Sequence, residues 1–185
     1  MEQYCPDDRL AEAVELVGSD DSAGLAHVAA LLDDHPHDPR LHFLYGSLLA
    51  GAGRFEEARV AMGRAVEIAP DYAIARFQLS LLELSSGDAA AACATLDPLA
   101  EDEAEAALPL FARGLQSLGR DELGAARALL RRGIAVNREH PLVSRDMELI
   151  IARIDETAAA GGEAEQDVSA ADFLLRQAAA KSTRH

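Results

Sequence analysis

Apolar residues recur along the chain at helical spacing, in stretches separated by short clusters of Gly, Ser and Asp. The breaks fall at Gly18–Ser22, Gly51–Arg54, Ser86–Asp88 and Gly119–Asp121, and each carries residues that favour turns. The stretches between them predict helix pairs over about 8–17 and 22–33, 39–50 and 55–68, 73–85 and 88–97, and 106–118 and 122–137. Pro141 opens a ninth helix, since a missing N–H costs nothing in a first turn. Along that helix Val143, Met147, Ile150, Ile151 and Ile154 share one face, and Arg145, Asp146, Glu148, Arg153 and Asp155 the other. An apolar inner face with a charged outer one suits a helix that closes a stack. Gly161-Gly162 ends the pattern. Residues 161–168 read as a flexible linker, after which Ser169 can cap a short helix within 169–185 carrying Phe173, Leu174, Leu175 and Ala178.

The stretches repeat. A step of 34 residues links Gly46 to Ser80 to Gly114, Ala58 to Ala92 to Ala126, Met62 to Leu96 to Leu130, and Phe43 to Phe77 to Phe111. A shared period across several small or apolar columns marks a repeat architecture. Its physical content is helix packing. A residue with little side chain at 46, 80 and 114 lets the paired helix approach, and a small residue at 58, 92 and 126 meets it. One such hairpin cannot bury its own apolar face, whereas stacked hairpins share a core.

The best unit, residues 39–72, reads His42-x-x-Tyr45-Gly46-x-x-Leu49, then Ala58-x-x-x-Met62, then Pro70. It resembles the tetratricopeptide repeat family in period and in the order of large, small and closing residues. Residues 73–106 keep Leu79-Ser80 and Ala92-x-x-x-Leu96 without a closing proline, and residues 107–140 keep Gly114 and Ala126-x-x-x-Leu130 with Pro141 just beyond. One period back from Pro70 lies Pro36, and one back from Ala58 lies Gly24. The resemblance implies an all-α, right-handed α-solenoid of stacked helix-turn-helix hairpins with a C-terminal capping helix. Residues 1–38 form a degenerate first repeat, 39–140 three repeats and 141–160 the cap. The Asp97-Pro98 step interrupts the second unit.

Composition narrows the function classes. The chain is 49% hydrophobic but only 4% aromatic, with no Trp. Its core is therefore expected to be built mainly of Leu, Ala, Ile and Val. The net charge of −15 repels phosphate backbones and anionic lipid, so no nucleic acid partner and no membrane insertion are expected. The acidity is uneven, since residues 107–140 carry six basic and three acidic residues. Apart from Lys181 every basic residue is Arg, a usage like that of GC-rich bacterial genomes. The acidic N-terminus lacks a secretory signal, and no stretch is apolar enough to span a membrane, so a cytoplasmic location is expected. There are two cysteines and no CxxC; Cys93, in an apolar helical stretch, reads as a small core residue.

In the resembled family the first helix of each pair lines a concave, ligand-binding surface. Here those positions hold Arg40, Phe43, Leu44 and Ser47, then Ile74, Phe77, Gln78 and Leu81, then Leu108, Phe111, Ala112 and Leu115. The three phenylalanines either form a ladder along a groove or complete the core between hairpins. Lys and Asn of a carboxylate clamp are absent from this face, so an apolar or amphipathic polypeptide segment is the expected ligand. The chain's own C-terminal helix is one candidate occupant. An adaptor or scaffold is the first reading, and a small chaperone masking hydrophobic segments of secreted or membrane-bound substrates the second.

No catalytic or cofactor motif is present, and no enzyme activity, cofactor or metal is expected. His35, His37 and His42 with Asp33, Asp34 and Asp38 straddle a turn broken by Pro36 and Pro39 and read as solvated loop residues rather than metal ligands. Glu101, Asp102, Glu103 and Glu105 read as a wet turn, and Arg127, Arg131, Arg132 and Arg138 as a solvated basic face or a dock for an acidic partner.

Overall fold

The computed structural model describes residues 4–17 and 21–160. Among them the chain forms nine α-helices and no strand: α1 Asp7–Val17, α2 Asp21–Asp34, α3 Pro39–Gly51, α4 Phe55–Ile68, α5 Ala73–Ser85, α6 Ala89–Ala100, α7 Ala107–Gly119, α8 Leu123–Val136 and α9 Pro141–Ala160. The expected linker at 161–168 and the short helix within 169–185 lie outside the described residues. No helix among the described residues is long and apolar enough to cross a membrane. The chain divides into two compact units, Met1–Leu82 and Glu83–His185.

The period reaches down to the backbone of the turns. Gly53 and Gly87 adopt φ of 75° and 86°, and Asp121, one further period along, adopts 59°. At each turn the next residue donates its N–H five residues back: Arg54 to the Leu49 carbonyl at 2.8 Å, Asp88 to Glu83 at 2.9 Å, Glu122 to Ser117 at 2.9 Å. This is the left-handed helix stop that glycine favours. Asp121 adopts it at a steric cost of roughly 1 kcal/mol. Asp121→Gly is therefore expected to raise stability by about 0.5–1 kcal/mol, read as a higher urea midpoint at unchanged slope; a lower midpoint contradicts it.

In the first unit, α3 and α4 meet at Gly46. A Cβ there would sit 2.6 Å from Met62 Cγ and 3.2 Å from the Ala58 carbonyl oxygen. The small-residue column is thus a close approach of backbones, as its spacing predicts. Leu49, Ala58 and Ala61 form one apolar cluster, with Leu25, Tyr45 and Leu82 against it. A second cluster joins Cys5, Ala13, Val28, Leu31 and Leu41.

The second unit repeats the device between α7 and α8, where a Cβ on Gly114 would lie 2.7 Å from Leu130 Cδ2. Its α6 departs from expectation. Instead of stopping near residue 97 it runs through Pro98 to Ala100. Pro98 cannot bond the Ala94 carbonyl, but both residues face solvent, where water satisfies that oxygen. The Glu101 N–H closes the last turn on the Asp97 carbonyl at 2.9 Å. At the other end, α9 buries Val143, Met147, Ile150, Ile151 and Ile154 as its periodicity predicts.

The basic stretch on α8 holds α9 and the preceding loop. Arg127 and Arg131 reach the two oxygens of Asp155 at 2.8 and 3.3 Å. Arg132 pairs with Glu105 at 2.5 Å. These pairs are largely exposed and each contributes at most about 1 kcal/mol, so they orient the helices more than they stabilise them. Asn137 secures the α8–α9 corner. Its side-chain N–H₂ donates to the His140 carbonyl at 2.6 Å and to Ser144 Oγ at 2.8 Å, while its Oδ1 accepts the His140 N–H at 3.1 Å.

Candidate functional site

The residues expected to line a binding face divide into two groups. Phe77, Phe111, Leu108 and Leu115 are buried, as is Ala112. These side chains lie in the interior rather than along an open face. The cause in the second unit is visible at Gly133. A Cβ on that glycine would lie 2.5 Å from Phe111 Cδ1, so the Phe111 ring rests on α8 backbone and belongs to the α7–α8 core. Leu44 is half-buried against the cluster of Leu31 and Leu41, which commits it to the interior of the first unit. Ser47 turns its hydroxyl back on its own helix and donates to the Phe43 carbonyl at 2.9 Å.

Phe43, Ile74, Gln78 and Leu81 remain half-buried. Phe43 packs against the ring of Tyr72, with centroids 5.3 Å apart and planes inclined at 57°. Tilted rings at this spacing attract beyond their area of contact. Tyr72 was not among the expected site residues. It stands just before α5, in the turn after Pro70, where helical periodicity carries no information. Burial raises its phenol above the ordinary value.

Arg40 is engaged within the chain. Its guanidinium bonds Asp38 at 2.8 Å through Nη2 and at 3.1 Å through Nε, Asp7 at 2.6 Å, and the Cys5 carbonyl at 2.6 Å. The Tyr4 ring lies 6.0 Å from its central carbon. Asp38 first, then Asp7, hold this guanidinium well above its ordinary value.

Asp38 corrects a second expectation. Rather than a solvated loop residue it is fully buried. It caps α3, with Oδ1 accepting the Arg40 N–H at 2.9 Å and Oδ2 the Cys5 N–H at 2.8 Å. Burial alone would raise its pKa. The Arg40 side chain and the two backbone N–H donors outweigh that, and hold the carboxyl below the usual aspartate range. Its histidine neighbours do not join it: His42 Nε2 bonds the Pro36 carbonyl at 2.9 Å. Among the described residues no group of three His, Cys, Asp or Glu is placed to hold a metal ion.

Cys93 departs from the expected core position. Cys93 is exposed on α6, and Cys5 is buried, with its thiol pushed up by burial. The alanine-rich run around Cys93 has no contrast between faces, so its apolar character does not locate the core. A water-soluble thiol reagent at neutral pH is expected to modify one thiol quickly, and Cys93→Ser to abolish that phase. Cys5 should react only through opening of the segment that carries it. Rapid labelling that survives in Cys93→Ser contradicts this burial.

No family model matches the chain. Human tetratricopeptide repeat protein 34 is 36% identical over 85 residues, covering 45% of this chain. The match spans 15% of that protein's length. Among solved structures, MamA residues 41 to the end from Desulfovibrio magneticus RS-1 superposes with a TM-score of 0.57 at 13% identity, covering 97% of both chains. A MamA RS-1 double mutant gives the same values. The structural likeness establishes the fold, and helical repeats of this kind present surfaces to other polypeptides. The 34-residue period, the recurring left-handed turns, the glycine contacts between paired helices and these likenesses agree: the chain has an all-α helical-repeat fold and is similar to tetratricopeptide repeat proteins.

Proposed function

We propose that the chain is a protein-binding adaptor or scaffold whose first unit takes an apolar or amphipathic polypeptide segment along α3 and α5. The observation that carries this reading is the set of half-buried side chains Phe43, Ile74, Gln78 and Leu81, on the first helices of two successive hairpins. Buried neighbours such as Phe77 supply the floor and these residues the accessible edge. An amphipathic segment would cover the aliphatic groups and leave its polar side in water. Gln78 offers one amide for a backbone group of the ligand.

The test is quantitative co-purification from the native host with tagged wild type, Ile74→Asp/Leu81→Asp and Val60→Asp. Val60 is 67% exposed on α4, which carries none of these positions, so Val60→Asp controls for added charge. A partner lost at least tenfold from the double variant and retained by Val60→Asp is expected. Equal recovery from all three rejects the α3–α5 face.

A further inference from the structure

Residues 4–7 lie across the start of α3 in the manner of a bound peptide. Cys5 donates its N–H to Asp38 Oδ2 at 2.8 Å, and its carbonyl accepts from Arg40 Nη2 at 2.6 Å. Both backbone groups of one residue are thus held by one acid–base pair. The Cys5 side chain belongs to the apolar cluster of Val28, Leu31 and Leu41. Two positions on, Asp7 gives Arg40 Nη1 a carboxylate oxygen at 2.6 Å. The Tyr4 ring covers the guanidinium from one side.

The seat and its occupant are separable. Asp38 and Arg40 hold one another through the cap bond of 2.9 Å and the side-chain bonds of 3.1 and 2.8 Å, none of which uses residues 4–7. The occupant is tied only at one end, where Asp7 begins α1 and the Pro6 carbonyl accepts the Leu10 N–H at 3.0 Å. The Asp7 side chain is 91% exposed, and Tyr4 is exposed. Freeing Tyr4 and Cys5 and fraying the first turn of α1 costs far less than opening the hairpins beneath. What it would uncover is a buried carboxylate and a guanidinium beside an apolar hollow. These groups read backbone polarity, a small apolar side chain and an acid at a fixed spacing.

We propose that the Asp38–Arg40 corner is a peptide seat filled in cis by residues 4–7, and that a partner segment replaces them. The partner carries a small apolar residue followed two positions later by a carboxylate, in extended conformation. The seat is distinct from the α3–α5 face, and substitutions at Ile74 and Leu81 leave it intact.

The test uses the full chain carrying Cys5→Gly and Asp7→Ala, which weaken the occupant and spare the seat. The probe is a fluorescent peptide of sequence Tyr-Cys-Pro-Asp-Asp-Arg under reducing conditions, followed by anisotropy. Binding at least tenfold tighter than to wild type is expected, with the gain lost when alanine replaces the first aspartate of the peptide. Equal binding to both chains at unchanged helical content overturns the proposal. So does a gain that survives removal of the peptide carboxylate. A second measurement covers a variant that loses helicity. In the wild-type chain the Cys5 amide should exchange with deuterium at least tenfold faster than those of Leu41 and Leu49. Exchange at their rate means residues 4–7 leave only on unfolding, and overturns the replacement of one occupant by another.

Discussion

Gly133→Ala is expected to destabilise the second unit by about 2 kcal/mol, although alanine is the better helix former. Gly133 lies inside α8, where exchanging glycine for alanine ordinarily gains up to about 1 kcal/mol. Here the new methyl would stand 2.5 Å from Phe111 Cδ1, and closer still to Cε1. The ring has no room to retreat, because Phe111 is fully buried. Overpacking of this kind costs roughly 3 kcal/mol, which outweighs the gain in helix propensity. Gly63→Ala in α4 supplies the contrast, since a Cβ there meets nothing within 4 Å. It should be neutral or stabilising. Phe111→Leu removes the obstacle, so the double variant Phe111→Leu/Gly133→Ala should be more stable than the sum of the single effects by at least about 1 kcal/mol. Urea unfolding of the four chains checks this. Additive effects, or a stabilising Gly133→Ala, would show that the ring does not rest on that glycine.

The same pair of residues marks how far the sequence can be read. Periodicity states which face a residue occupies and leaves its depth open. Phe43, Phe77 and Phe111 share a column, yet Phe43 is half-buried and the other two are fully buried. Depth depends on what stands opposite, and Phe111 finds a glycine 22 residues away on α8. That pairing is legible only once the two helices are docked. Helix positions were far more accessible, because turn chemistry is local. Gly53, Gly87 and Asp121 fall in the turns that clusters of Gly, Ser and Asp predict, and the helices begin and end within a few residues of expectation. Pro98 misled because a proline normally ends a helix, whereas here its cost falls on a solvent-facing carbonyl. Tyr72 escaped because it lies in a turn, where no period applies. Asp38 was half legible. Asp before Pro is a helix-start signature, but its partner Cys5 is 33 residues distant, and nothing local distinguishes a buried cap from the wet acids beside it.

Asp38→Ala follows as the second large effect, an expected loss of about 3 kcal/mol in the first unit. The substitution removes the cap of α3, usually worth about 1 kcal/mol. It also strands the buried Cys5 N–H and takes the principal partner from Arg40. A hydrogen bond to a charged group contributes roughly 1.5–3 kcal/mol. The Arg40 side chain is 34% exposed, so water can recover part of its share, which keeps the total near the lower sum. The pH dependence has a definite sign. The folded pKa of Asp38 is depressed, so the unfolded chain binds its proton first as acid is added. The contribution is fully present above the ordinary aspartate pKa of about 4, and is lost as pH falls through the lower folded value. Wild type should therefore lose more stability between neutral pH and about pH 3 than Asp38→Ala does. Cys5 reports the same event locally: in a Cys93→Ser background, Asp38→Ala should expose its thiol at neutral pH with most helical signal retained. A variant as stable as wild type at neutral pH, or with the same acid slope, would mean that the buried carboxylate does not anchor the start of α3.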